Sequence, residues 1–146
     1  MVSFIATGWA GVLVGVSFIA TPAKFRAVES STAQLLEVGR VTFNTLMVVE
    51  CFLLPTLIIA IWLQARTLLL LKALMPGFLI LIAVQYLVLL PMLDMRVDSI
   101  LNGVTPDSSN AHIAYIFIEL SKISILVAIG RVAPIQRDKE PYGAIH

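Results

Sequence analysis

"HIAYIFIELSKISILVAIG", residues 112–130, decides the fold. Ile, Phe, Leu and Val run through it, and a helix of about 20 residues at 1.5 Å per residue crosses the hydrocarbon of a bilayer. Yet Glu119 and Lys122 stand near its middle, with His112 and Tyr115 ahead of them. These four residues lie at i, i+3, i+7 and i+10. At 100° per residue they share an arc of about 80°. A polar stripe on an otherwise apolar helix belongs inside a bundle, because a charge at the bilayer centre costs about 2.5–3.5 kcal/mol on insertion scales. Glu119 and Lys122 are one turn apart, and pairing softens that cost.

A bundle needs partner helices, and the chain supplies them. Apolar segments cover residues 2–21, closed by Pro22, and about 41–63, between Arg40 and Gln64-Ala65-Arg66. A third covers about 68–90, closed by Pro91, and the fourth covers about 111–130, closed by Arg131. The chain of 146 residues is 59% hydrophobic and 13% charged, where a soluble domain carries about 25% charged residues. Its mean hydropathy is +0.95. Too little polar material is present to coat a soluble globule, so lipid does part of the coating. Backbone groups in lipid bond within their own segment, which selects helices. The first segment has no basic stretch before it and is too long for the core of a signal peptide, so it reads as a retained span. The expected fold is all-α: a membrane four-helix bundle with short amphipathic interfacial helices. One four-span domain covers 1–133, and a polar tail covers 134–146.

The connections carry their own signals. Ser31 and Gln34 have the spacing of a capping box, which predicts a helix from about Thr32 running into the second span. "LDMRVDSILNG", residues 93–103, puts Leu93, Val97, Ile100 and Leu101 on one stripe. That reads as a short amphipathic helix at the headgroups, with Gly103 as its stop. Asp107 or Ser108 then caps the fourth span. The link "QAR" is short enough to make spans two and three an antiparallel hairpin. Pro55, Pro76 and Pro91 are expected to kink spans two and three and free a carbonyl or two.

Depth brings the polar residues together. Counted from the face that holds the two longer loops, Glu50 lies about 12–15 Å into the second span, and Glu119 and Lys122 lie at about 10–15 Å. Glu50, Glu119 and Lys122 therefore meet at one level. Two carboxylates and one ammonium leave a net charge of −1 if all ionise, so one carboxylate is expected to keep a proton in this low dielectric. The cluster reads either as a structural lock that fixes helix register or as a path for protons or cations. His112 sits near the headgroups as a polar anchor. Arg40 and Asn44 begin the second span and face Asp94 and Asp98, whose i, i+4 spacing makes them repel unless neutralised. Inter-loop salt bridges, or a cation or headgroup site, would account for that set. Ser3, Thr7, Gly11 and Gly15 form a small-residue ridge on the first span, suited to intrachain packing or to an oligomer seam.

Several function classes lack their residues. With 10 basic and 9 acidic side chains, no basic face is available for nucleic acid. The lone Cys51 forms no intrachain disulfide and reads as a small core residue. Cys/His clusters with metal spacing are absent from the sequence, as are phosphate loops and nucleophile motifs. No metal and no cofactor is required by the sequence, and a catalytic constellation is not formed.

"GVSFIATPAKF", "GRVTFNTLMVVE", "LPMLDMRVDSI" and "HIAYIFIELSK" together resemble the pattern of small bacterial four-helix integral membrane proteins. These are similar in layout to the CopD-type membrane domain. The resemblance implies a four-span bundle in a bacterial inner membrane and carries no established activity. A CopD-type copper site needs several His and Met ligands that this sequence lacks, so copper is not carried over. Basic residues are nearly balanced between the faces, with a slight lean toward both termini in the cytoplasm. The expected partners are the lipid bilayer and other membrane subunits, or a second copy of the chain. Two functions fit: a non-enzymatic interaction module or accessory subunit of a membrane complex, or a minimal proton- or cation-coupled transporter built on the Glu/Lys cluster.

Overall fold

The computed structural model describes residues 1–24, 26, 31–63, 69–104 and 110–137. Among the described residues every regular element is helical. The helices are α1 (Val2–Lys24), α2 (Thr32–Leu63), α3 (residues 69–101) and α4 (Ala111–Arg137). All four are long and apolar enough to cross a membrane. Their outward surfaces carry large apolar side chains, among them Phe4, Phe52, Trp62, Leu87 and Phe117, each at least 66% exposed. An apolar surface on this scale is what lipid covers.

The ends of the helices follow local chemistry. The Ser31 N–H donates to Gln34 Oε1 at 3.0 Å, and the Gln34 N–H donates to Ser31 Oγ at 3.3 Å. This is the reciprocal capping box read from the sequence, and α2 begins at Thr32 behind it. The helix then runs 32 residues without a break, about 48 Å at 1.5 Å per residue, so its first turns extend past the hydrocarbon. At the end of α3, Gly103 has φ 76°, its N–H reaches Ile100 O, and the Val104 N–H reaches Ser99 O. Those two bonds form a Schellman stop, where only glycine takes the left-handed angle without strain. The amphipathic segment Leu90–Leu101 follows directly on the third span rather than after a break. α4 continues past residue 133 to Arg137. The link 64–66, the caps proposed at Asp107 and Ser108, and residues 138–146 lie outside the described residues.

Prolines shape two of the spans, though not at every expected place. Pro55 and Pro76 sit inside ordinary α-helix. Instead, α1 widens to a π-helix over Val14–Ala20, and α3 does so over Gln85–Leu89. The Thr21 N–H bonds Val16 O and the Leu90 N–H bonds Gln85 O, five residues back in both cases. Pro22 and Pro91 come next in the chain. Proline lacks an N–H, and its ring crowds the carbonyl four residues earlier. Opening the preceding turn by one residue relieves that crowding. Such wide turns rotate the side chains upstream of them and recur at functional sites.

Helices α1 and α4 pack closely and antiparallel. Ser3 Oγ donates to Gly130 O at 2.7 Å, and a Cβ at Gly130 would lie 2.7 Å from Thr7 Cγ2. The ridge on α1 is therefore divided: Ser3 and Thr7 seat on Gly130, while a Cβ added at Gly11 or Gly15 would meet nothing within 4 Å. Toward the end of the bundle away from the two longer loops, the interior is filled by Val2, Ala6, Leu57, Leu71, Leu126 and Ile129. Trp9 caps this apolar half, edge-on to Phe78 with ring centroids 5.2 Å apart.

Candidate functional site: a buried carboxylate and ammonium cluster

Directly beyond that apolar half lie Glu50, Gln85, Glu119 and Lys122, each at most 1% exposed. Lys122 projects from α4, and its ammonium contacts both oxygens of Glu50, at 2.8 and 3.0 Å, and Glu119 Oε1 at 2.9 Å. The two Glu50 contacts are hydrogen bonds, and the Glu119 contact is an ion pair one turn back on the same helix. The same Nζ stands 5.9 Å from the centroid of the Tyr86 ring, within cation–π range. The Trp9 indole N–H donates to Glu50 Oε1 at 3.0 Å. Gln85 Nε2 donates to Glu119 Oε1 at 2.5 Å, and Ser17 Oγ donates to Glu119 Oε2 at 3.3 Å. Every span contributes: Trp9 and Ser17 from α1, Glu50 from α2, Gln85 from α3, and Glu119 and Lys122 from α4.

The π-helical turns place two of these ligands. Ser17 lies within Val14–Ala20, and Gln85 opens Gln85–Leu89. Both bind Glu119. The widened turns ahead of Pro22 and Pro91 therefore aim one side chain each at the same carboxylate.

The two carboxylates have different company. Glu50 is held by an ammonium and an indole N–H, groups that only donate. Glu119 shares Lys122, but its other partners are an amide and a hydroxyl, which donate or accept. Gln85 Oε1 and the Tyr115 hydroxyl are buried beside it with no hydrogen-bond partner. A half-turn of the Gln85 amide would offer that spare oxygen to Glu119.

Access differs as well. A cavity of about 280 Å³ is lined by Ser17, Thr21, Phe43, His112, Tyr115 and Glu119, among others. Glu50 and Lys122 do not line it. A second cavity, about 270 Å³, adjoins it at Thr21, Phe43 and His112 and continues to Lys24 and Arg40 at the two-loop end. Glu119 thus borders a cavity on the side of the two-loop face, and among the described residues the interior on its other side is apolar.

The remaining sequence-predicted residues take varied positions. Tyr115 is buried and rests on Phe43, with ring centroids 4.9 Å apart. His112 departs from the inward stripe: it is exposed and stands where the two cavities meet. Ala111 in the same turn is buried, so the bundle reaches this level, and His112 is left open by the cavities beside it; the buried part of the stripe begins at Tyr115. Arg40 clasps α3, donating to Asp94 O at 3.1 Å and pairing with Asp98, and Glu37 and Asp94 carboxylates stand 3.7 Å from its Nε. That shared guanidinium offsets the repulsion between Asp94 and Asp98. Asn44 binds its own helix, donating to Arg40 O at 3.0 Å. Cys51 is exposed rather than in the core, because its position next to Glu50 turns it to the outer face of α2. Among the described residues, no group of three or more His, Cys, Asp or Glu is placed to hold a metal ion.

Sequence reasoning missed Trp9, Ser17 and Gln85. The signal for Gln85 was present: a lone amide in "LIAVQYLVLLP" must find a partner inside the bundle.

By fold, this is an all-helical protein with four helices long and apolar enough to span a membrane, closed around one polar cluster. The chain matches none of the protein-family models, curated proteins or solved structures with which it was compared.

Proposed function

We propose that this chain is a non-enzymatic integral membrane protein that takes up and releases a proton at Glu119, in exchange with the two-loop face. The observation that carries this reading is the asymmetry of the two carboxylates. Glu50 takes both of its oxygens to Lys122 and is surrounded by donors only. Glu119 shares Lys122, but its other two partners serve either protonation state, and of the two acids it alone borders the cavity. A net charge buried in low dielectric is neutralised most cheaply by a proton. A metal cation is the weaker candidate, because the Lys122 ammonium already occupies the position between the carboxylates.

Infrared difference spectroscopy across a pH step tests the assignment. The protonated-carboxyl band is expected to disappear in Glu119→Gln and to persist in Glu50→Gln. A band that survives in Glu119→Gln overturns it. Vesicles holding a pH-sensitive dye then test whether exchange extends to transport: a flux lost in Glu119→Gln supports coupling, and an intact flux in that variant sinks it.

A second reading draws on the outer face of α1. Gly8 and Gly11 are exposed, and a methyl group at either position would have nothing within 4 Å, which suits the close approach of another transmembrane helix. In that reading the proton site sits in an accessory subunit of a larger complex, or in a self-associated one. Stoichiometric partners retained in mild detergent support it. A bacterial inner membrane, with both termini cytoplasmic, is the location this proposal adopts.

A further inference from the structure

The two cavities at the two-loop end share three lining residues among the described ones: Thr21, Phe43 and His112. The other charged groups divide between them. Lys24 on α1, Arg40 on α2, and Asp94 and Arg96 on α3 line the outer cavity and not the inner one. Tyr115 and Glu119 line the inner cavity and not the outer one. Of the three shared residues only His112 titrates, and histidine is the side chain whose ordinary charge change falls between pH 5 and 8. It is the second residue of α4 and its side chain is exposed. A base that takes up and gives back a proton near neutrality therefore stands at the junction, open on one side and bordering the Glu119 cavity on the other.

His112 and Glu119 are seven residues apart on one helix, about 10 Å along its axis at 1.5 Å per residue. A proton passes directly only between groups about 2.6–3.2 Å apart, and water bridges longer gaps. The inner cavity is lined by both residues and holds about 280 Å³, several times the roughly 30 Å³ that one water takes in the liquid. Water settles in such a space where polar groups meet it, and hydroxyls do so here. Ser17 Oγ donates to Glu119 Oε2 at 3.3 Å, and Thr21 Oγ1 donates to Val16 O at 2.9 Å, which leaves their oxygens able to accept. The Tyr115 hydroxyl is buried with no hydrogen-bond partner, on a residue 2% exposed that lines the same cavity. Tyr115 lies three residues after His112 and four before Glu119, one helical turn from each. An unmatched hydroxyl at the midpoint of the gap is what a bridging water binds.

We propose that His112 is the relay through which Glu119 exchanges protons with the two-loop face, across water held in the inner cavity. The transfer balances. One ring nitrogen of His112 accepts a proton from water on the outer side, and the other ring nitrogen gives its proton to water on the inner side. The hydrogen-bonded chain past Tyr115 then delivers one proton to the Glu119 carboxylate. His112 ends neutral with its N–H on the opposite nitrogen, and release from Glu119 runs the same steps backward. This inference rests on proton binding at Glu119 and names the route to it.

The test uses the full chain in phosphatidylcholine nanodiscs, with protons released by light from a caged acid. Time-resolved infrared spectroscopy follows the Glu119 carboxyl band. In His112→Gln the band should reach its wild-type final amplitude but rise about a hundredfold more slowly, the lower end for loss of a positioned proton carrier. His112→Ala should be equally slow and should recover in proportion to added imidazole, a rescue that a purely structural role does not give. An unchanged rate in His112→Gln overturns the relay, as does a His112→Ala rate that ignores imidazole. Loss of the final band in His112→Gln also overturns it, because His112 would then hold the proton site together rather than feed it. Those outcomes leave proton binding at Glu119 standing. A wild-type protein without a band that Glu119→Gln removes instead refutes the binding itself, and the relay falls with it.

Discussion

Replacing Lys122 by methionine tests the cluster most directly. The wild-type ammonium touches three carboxylate oxygens within 3.0 Å and is 0% exposed. In Lys122→Met, Glu50 and Glu119 face each other with Trp9, Gln85 and Ser17 as their remaining donors. Removing one member of a buried ion pair costs about 3–5 kcal/mol, because the other is left uncompensated. The double variant Glu50→Gln/Lys122→Met behaves differently. Counted with every group ionised, two acids and one ammonium give the wild-type cluster −1, and one acid with no ammonium gives the double variant the same −1, so each leaves one charge for a proton to neutralise. Most of the loss should return, leaving about 1–2 kcal/mol for the hydrogen bonds that methionine cannot make. Adding Glu50→Gln to Lys122→Met should therefore recover about 1–4 kcal/mol, and the single Glu50→Gln variant closes the double-mutant cycle. Reversible unfolding by SDS in mixed micelles, followed by far-UV circular dichroism, measures each step. A single variant within about 1 kcal/mol of wild type, or a double variant no better than the single, refutes the charge argument.

Three other changes probe other parts of the molecule. Trp9→Phe keeps a ring against Phe78 but deletes the N–H to Glu50; the same unfolding assay should show a loss of about 1.5–3 kcal/mol, as for hydrogen bonds to charged groups. Gly130→Ala puts a methyl 2.7 Å from Thr7 Cγ2 and should cost about 1–3 kcal/mol through overpacking. Adding Thr7→Ser removes that methyl while keeping the hydroxyl, and should restore stability. Arg40→Gln leaves Asp94 and Asp98 to repel. With Asp98 57% exposed, the cost should stay below about 1 kcal/mol, shrink in high salt, and vanish when Asp94→Asn is added.

Much of the architecture was legible because lipid imposes simple rules. Segment length, the Ser31–Gln34 box and Gly103 located helices and their ends, since each signal acts through backbone bonds within a few residues. Depth arithmetic brought Glu50 to Glu119 and Lys122, because rise per residue is nearly constant in a helix. It did not reveal Trp9 or Ser17, whose roles depend on the rotation of α1. That rotation is altered by the π turn before Pro22, which the sequence suggests only as a span ending. His112 shares the arc of its stripe, yet arc position says nothing about where cavities open between the helices. The division of the α1 ridge depends on which helix lies alongside it, a tertiary choice that Gly130 makes from 127 residues away.

The sequence distances within the cluster also set an order of assembly. Span four brings Glu119 and Lys122 together within one turn, so it enters lipid as an internally paired segment. Glu50 is separated from Trp9 by 41 residues and from Lys122 by 72. During synthesis, span two therefore passes into the bilayer with its carboxylate lacking its principal partner until the last helix arrives. A chain halted before that helix carries its Glu50 carboxylate without the Lys122 ammonium. The fourth helix is what supplies the ammonium that Glu50 lacks until then.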